Sequence, residues 1–252
     1  MGCKYKISGF TIIETMLFLA ITGLLAAGLL VGIGTSINTQ RYKDSVISLQ
    51  AIIQQQFSNV SNVSNNRDGS WKCNSSTLNA KSVTNGGDSI GQSNCVIIGK
   101  LITVDKIDKS VLLIKTVLGS PKSSNGESVS NKNSLTSLSD QYNLSFSPVD
   151  THTEKYDIEW GNHLTNLNGD PSSFSIFIFR SPSNGSIKTL VDPNNIVNDI
   201  NSIVNESALS KEVKMCLTPE GIVTGNKMSI IVKSGATNGN DVETGGSDSG
   251  CK

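Results

Sequence analysis

One run of sequence near the start constrains this chain more than any other feature. From Phe10 to Ile37 there are 28 residues with a single charge, Glu14. Wound as an α-helix at about 1.5 Å per residue, that run is roughly 42 Å long, enough to cross a bilayer core of about 30 Å. Nothing comparable follows it. The reading is one spanning segment at the N-terminal end and a polar ectodomain beginning near residue 62. Lys4 and Lys6 precede the run and favour a cytoplasmic N-terminus, whereas Arg41 and Lys43 beyond it weaken that asymmetry. The large polar ectodomain and its cysteines favour an outside C-terminus.

A secretory signal would have an apolar stretch of about 7–15 residues followed by a small-residue cleavage site. Here the run is too long, and Thr35-Ser36-Ile37-Asn38 does not have the form of such a site. The apolar run is therefore expected to be retained, and the plainest reading is a signal anchor. Two details sit poorly with that. Gly9-Phe10 marks the boundary between polar and apolar sequence, and Glu14 lies one turn inside the run. A carboxylate within a bilayer costs a few kcal/mol on insertion scales and marks a functional site by default.

Through Lys6-Ile7-Ser8-Gly9-Phe10-Thr11-Ile12-Ile13-Glu14 the chain resembles the type IV pilin family, which includes the pseudopilins of type II secretion systems. The resemblance covers about 50 residues, the leader and the long helix. It implies that a prepilin peptidase cuts between Gly9 and Phe10 and methylates the new amine of Phe10. Residues 1–9 are then a cleaved leader, 10–37 the transmembrane and filament-core segment, 38–61 its amphipathic continuation, and 62–252 the ectodomain. It also implies a role for Glu14. Bundled helices exclude water, and an unpaired buried charge is expensive, so Glu14 of one subunit pairs with the Phe10 amine of a neighbour and sets the axial step. Many pilins carry a helix-breaking proline in this region. This chain has Val31 there, with Gly23, Gly28, Gly32 and Gly34 around it. Those glycines could destabilise the helix by about 1 kcal/mol each, or allow close helix approach in lipid.

Past Ile37 the pattern turns amphipathic. Tyr42, Val46, Leu49, Ile53, Phe57 and Val60 recur every three or four residues beside Arg41, Lys43, Asp44, Gln50 and Gln54, the mark of a helix lying on a core. One continuous helix from about 11 to 61 is expected.

Lys+Arg and Asp+Glu balance at 21 each, and only 17% of residues are charged and 5% aromatic. A neutral chain with scattered cations argues against nucleic-acid coating, and a nucleic-acid partner stays unassigned. Cys3 precedes the span and is expected to be a free cytoplasmic thiol. Cys73, Cys95, Cys216 and Cys251 follow it and allow three pairings, which spacing alone does not decide. Pairing near neighbours would give Cys73–Cys95 and Cys216–Cys251, each stabilising by roughly 3–4 kcal/mol in the chain-entropy model. Cys216 and Cys251 enclosing the last strands resemble the disulfide-bounded C-terminal loop of many pilins.

Between residues 58 and 94 the sequence is rich in Ser, Asn and Gly and reads as a long loop or irregular lobe around Trp71. Strands are expected at Val96–Val104, Val111–Leu118, Tyr142–Phe146, Tyr156–Trp160, Ser173–Phe179, Ile187–Val191, Lys211–Leu217 and Met228–Val232. A polar loop is expected over Ser120–Asp140 and a short helix within Asn195–Ser207. The expected fold is α+β: a long N-terminal transmembrane and amphipathic helix packed on an antiparallel β-sheet head, pilin-like.

Asn240, Asp241, Glu243 and Asp248 offer hard oxygen ligands for calcium, but in no recognisable loop spacing; a solvated polar loop is the simpler reading, and no metal or cofactor is expected. His152 and His163 form no ligand-spaced pair, and no nucleophile elbow, P-loop, HExxH or CxxC occurs. The resulting expectation is a structural subunit and not an enzyme. Its partners would be the prepilin peptidase, other pilin subunits and the pilus assembly machinery. It would reside in the cytoplasmic membrane and then in a filament on the cell surface. An ectodomain of about 190 residues leans towards a minor subunit. The alternatives are a pseudopilin of a secretion or DNA-uptake filament, and an anchored adhesion ectodomain that never polymerises.

Overall fold

The computed structural model describes residues 9, 11–62, 71–74, 79–84, 86–89, 93, 95–122, 136–149, 152–181, 184–205, 212–223, 225–246 and 250–251. The first element is α1 (Ile12–Ser61), 50 residues of unbroken helix. Leu is the commonest residue of its first half and no proline interrupts it, so once the first turn is capped the helix propagates through its glycines. It ends where Asn62 donates its backbone N–H to the Ser58 carbonyl at 2.9 Å, on entering a Ser- and Asn-rich stretch that favours turns over helix.

The head follows in chain order as β1 (Trp71–Asn74), β2 (Asn79–Ser82), β3 (Val96–Val104), β4 (Val111–Pro121), α2 (Thr136–Gln141), β5 (Tyr142–Phe146), β6 (Thr153–Asp157), β7 (His163–Thr165), β8 (Ser175–Arg180), β9 (Ile187–Asp192), α3 (Ile200–Asn205), β10 (Glu212–Thr218), β11 (Ser229–Lys233) and β12 (Val242–Gly245). All described pairings between these strands are antiparallel. β1 and β2 form a separate ribbon. The largest sheet runs β5-β4-β3-β8-β9, with β6 sharing the outer edge of β4: β5 pairs with Val117–Pro121 and β6 with Val111–Lys115. A second sheet runs β12-β11-β10-β7.

The helix holds the two large sheets together. Tyr42, Val46, Leu49, Ile53, Phe57 and Val60 are all buried. They join one core with Ile102, Ile114, Ile176 and Ile178 of the larger sheet and Val213, Met215, Ile230 and Val232 of the smaller one. The opposite face of the larger sheet carries a second core, in which Leu101, Val117, Phe177 and Phe179 meet Leu138 of α2 and Ile200, Ile203 and Val204 of α3. The large sheet is thus covered on both faces, and β8 shows the consequence in its sequence. Ile176 and Ile178 face one core and Phe177 and Phe179 the other, so the strand is apolar throughout instead of alternating.

β3 also carries residues of both cores, and a bulge between Ile97 and Gly99 sets Ile98 into the same core as Leu101. Glycine is needed there, because a Cβ at position 99 would strike the carbonyl oxygen of Ile178 on the neighbouring strand.

Several elements differ from the sequence expectation. The strand expected at Tyr156–Trp160 lies instead at Thr153–Asp157; the chain leaves the sheet at Ile158 because Trp160 and Gly161 both turn left-handed. Part of the expected loop over Ser120–Asp140 is helical from Thr136, and β4 runs on to Pro121. The region of residues 58–94 carries the β1–β2 ribbon, and β7 and β12 join the smaller sheet without having been anticipated.

Candidate functional site

Exposed apolar residues line the lower half of α1. Ile12, Ile13, Met16, Leu17, Phe18, Leu19, Leu24, Leu25, Leu29, Leu30, Val31 and Ile33 are each more than half exposed, and the most apolar stretch has no cover from the described residues. This is one N-terminal helix long and apolar enough to span a membrane, which points to membrane anchoring. Its hydroxyls are turned inwards. Thr15 donates to the carbonyl of Ile12 at 2.9 Å, Thr22 to that of Phe18 at 2.8 Å, and Thr35 to that of Gly32 at 3.0 Å. Such bonds let polar side chains sit in an apolar medium. Gly23, Gly28, Gly32 and Gly34 have nothing within contact range of where a Cβ would stand, and the helix stays regular through them.

At the start of this surface stands Glu14. Thr11 is the N-cap: its Oγ1 accepts the Glu14 backbone N–H at 3.3 Å, and the Glu14 carboxylate accepts the Thr11 backbone N–H and hydroxyl, each at 3.1 Å. This is a reciprocal capping box, which satisfies donors that the first helical turn leaves open and puts a negative charge at the positive end of the helix. Attention to the charge alone missed this role, although the Thr-x-x-Glu spacing before an apolar run is its signature. Gly9 is exposed and outside any helix or strand; Phe10 and Cys3 lie outside the described residues.

A second cluster marks the base of the head, where α1 first becomes buried. The Arg41 guanidinium lies over the Trp160 ring, 4.7 Å from its centroid. Trp160 is 53% exposed and has φ 63° and ψ 29°, and among the described residues it is the one non-glycine with a positive φ. For a bulky residue that is a true outlier, with a cost of about 1–3 kcal/mol that the surroundings must offset. They do so through the preceding residue. The Glu159 carbonyl accepts from Ser45 Oγ at 3.3 Å and Asn162 Nδ2 at 3.0 Å, and its carboxylate accepts from Ser48 at 3.4 Å. Gly161 has φ 69°, and a side chain there would collide with the Glu220 carboxylate. Between α1 and these loops lies a recess of about 360 Å³, lined in part by Asn38, Arg41, Trp160, Asn162 and Glu220.

Beside the recess the Tyr42 hydroxyl bridges two stretches of the smaller sheet. It accepts the Met228 backbone N–H at 2.6 Å and donates to the Leu217 carbonyl at 2.9 Å. Burial pushes its pKa above the ordinary 10.0, and the Met228 hydrogen bond offsets part of that rise.

Two disulfides brace the head. Cys73–Cys95 ties β1 to the start of β3, and Cys216–Cys251 ties β10 to the last residues of the chain; their Cα atoms are 5.8 Å apart in both. The carboxylate of Asp88 accepts the Cys73 backbone N–H at 2.8 Å and the Ser93 hydroxyl at 3.1 Å, so the first bridge sits in a hydrogen-bonded lobe.

The acidic residues near the C-terminus are not drawn together. The Asp241 carboxylate accepts the backbone N–H groups of Thr237 at 2.7 Å and Asn238 at 3.1 Å, closing a turn, whereas Glu243 pairs with Lys233 at 3.0 Å across β11 and β12. Asn240 lies in the same turn and Asp248 outside the described residues. Among the described residues no group of three His, Cys, Asp or Glu side chains could hold a metal. His152 is buried with Nδ1 2.8 Å from the Ser147 hydroxyl, and His163 lies half-buried in β7. Comparison with protein-family models, with curated proteins and with solved structures finds no match.

Proposed function

We propose that the protein is a structural subunit of a type IV pilus-like surface filament, more readily a minor than a major pilin, and that it carries no enzymatic activity. The observation that carries the reading is a single carboxylate, Glu14, at the first turn of an otherwise uncharged, exposed apolar helix that continues without a break into the core of the head. In a plain membrane anchor such a carboxylate contributes only the cap of the first turn, about 1 kcal/mol, against a burial cost of a few kcal/mol. In a bundle of such helices it has a partner, the amine freed when a prepilin peptidase cuts between Gly9 and Phe10 and then N-methylates Phe10. The capping box supports this, because Thr11 and Glu14 both lie beyond the cut and keep the mature helix start defined, with the carboxylate held near the new N-terminus.

Before assembly the subunit resides in the cytoplasmic membrane with its head outside. Its partners are the peptidase, other pilin subunits and the assembly machinery; neither a cofactor nor a nucleic acid is assigned. A pseudopilin of a secretion or DNA-uptake filament would use the same helix chemistry. The test is intact-mass and N-terminal peptide analysis of material sheared from cells. A chain beginning at N-methyl-Phe10 with both disulfides intact is expected. Uncut chain confined to the membrane would overturn the proposal in favour of an anchored ectodomain that does not polymerise.

A further inference from the structure

The base of the head places an exposed tryptophan, held in a strained backbone, at a particular distance along α1. Thr11 and Arg41 are thirty residues apart on one continuous helix, which is about 45 Å of axis at 1.5 Å per residue. A bilayer with both headgroup layers is about 40–45 Å thick. With the Thr11–Glu14 box at the inner headgroup layer, the Arg41–Trp160 pair falls at the outer one. Tryptophan and arginine suit that layer, since each joins an apolar body to a polar tip. A stacked guanidinium keeps its in-plane N–H groups for other acceptors. The recess beside the pair presents both signs of charge, Arg41 and Glu220, with the Asn38 carboxamide between α1 and Gly221. Ile222, in the same loop as Glu220, is 78% exposed. The hydrogen bonds to Glu159 account for the backbone at position 160, but not for the choice of a large exposed indole there.

We propose that this base docks on the outer headgroup layer of the membrane that α1 crosses, with a zwitterionic phospholipid headgroup in the recess. The phosphate lies against Arg41 and Asn38, the ammonium against Glu220, and the Trp160 indole and Ile222 lie at the level of the glycerol backbone. The paired charges of the recess match a zwitterion better than an anion. The proposal rests on α1 being a membrane span and is independent of filament assembly.

The chain contains two tryptophans, so each can be isolated as a reporter. The full chain carrying Trp71→Phe reports from Trp160. The chain carrying Trp160→Phe reports from Trp71, on the β1–β2 ribbon that follows α1 in sequence. Both are reconstituted into vesicles of equal parts phosphatidylcholine and phosphatidylethanolamine, and flotation establishes insertion. Trp160 is expected to be quenched by headgroup spin-labelled lipid and to be at least about twofold less sensitive to aqueous iodide than Trp71, as for an interfacial indole. Arg41→Glu is expected to remove both effects while flotation persists. Flotation with Trp160 as open to iodide as Trp71 overturns the docking alone. Failure to float overturns the span and the docking with it. Protection that vanishes on about tenfold dilution into lipid would mean that a second copy covers the base, and would overturn the lipid assignment.

Discussion

At the scale of single residues, Glu14 has one observed task, capping the helix, and one proposed task, pairing in assembly. As a capping residue it needs only an acceptor oxygen, whereas as an assembly residue it needs a charge. Glu14→Gln keeps the acceptor and loses the charge, and Glu14→Ala loses both. If charge pairing sets the helix register, both variants will be depleted from sheared filaments to a similar degree. If the cap is what matters, Gln will assemble like wild type and only Ala will fail, by an amount in keeping with a cap worth about 1 kcal/mol. Immunoblots of sheared and membrane fractions separate the cases, and an unchanged thermal transition of the head in both variants is the control. Tyr42 makes a different prediction. Its folded pKa lies above its unfolded value, so the contribution of its neutral form is complete below pH 10.0 and is lost as pH rises through the folded pKa. The head should weaken in alkali from about pH 10 upward. Tyr42→Phe should lower stability at neutral pH by about 1–3 kcal/mol by leaving the Met228 N–H and Leu217 carbonyl without the bridging hydroxyl, and should flatten the alkaline decline. Denaturant melts of wild type and variant at neutral and alkaline pH measure both effects.

At the scale of elements, α1 was the most legible part of the chain, because its two halves follow two simple rules: uninterrupted apolar sequence, then a three-to-four spacing. All six residues assigned to its buried face are buried. Leu49 and Ile53 are fully buried between the two sheets, so Leu49→Ala should cost about 2–5 kcal/mol, and a loss under 1 kcal/mol in a denaturant melt would contradict this packing. Central strands were also legible where both faces are covered, as in β8, since long apolar stretches outweigh local turn signals. The short edge strands were not. His163–Thr165 and Val242–Gly245 carry little strand character and become strands because β10 and β11 offer them open edges, a contact remote in sequence. The end of β6 was misplaced for a related reason. Trp160 is a good strand residue by propensity, yet it is turned left-handed by the hydrogen bonds that α1 makes to Glu159. At the candidate site the charge of Glu14 was readable from its surroundings, but the Arg41–Trp160 pair depends on a fold that brings residue 160 against residue 41.

At the scale of the whole molecule, the C-terminus is tied back into the smaller sheet by a bridge spanning 35 residues of sequence. Replacing Cys216 and Cys251 together by Ser should lower head stability by about 3–4 kcal/mol and open the last residues to proteases before β10 unfolds. Limited proteolysis followed by mass analysis would show whether trimming begins beyond β12. The exposed half of α1 carries the larger consequence. Each fully buried large apolar side chain is worth about 1.5–3 kcal/mol, and more than a dozen line this segment, so moving it into water costs tens of kcal/mol. In solution terms the chain is an amphiphile whose free aqueous concentration is effectively nil. If α1 spans a membrane as proposed, a chain leaving the bilayer cannot pass through water as a dissolved species. Transfer from lipid to any other apolar environment has to take place across a continuous boundary between the two, so the proposed filament would have its nucleus in the membrane.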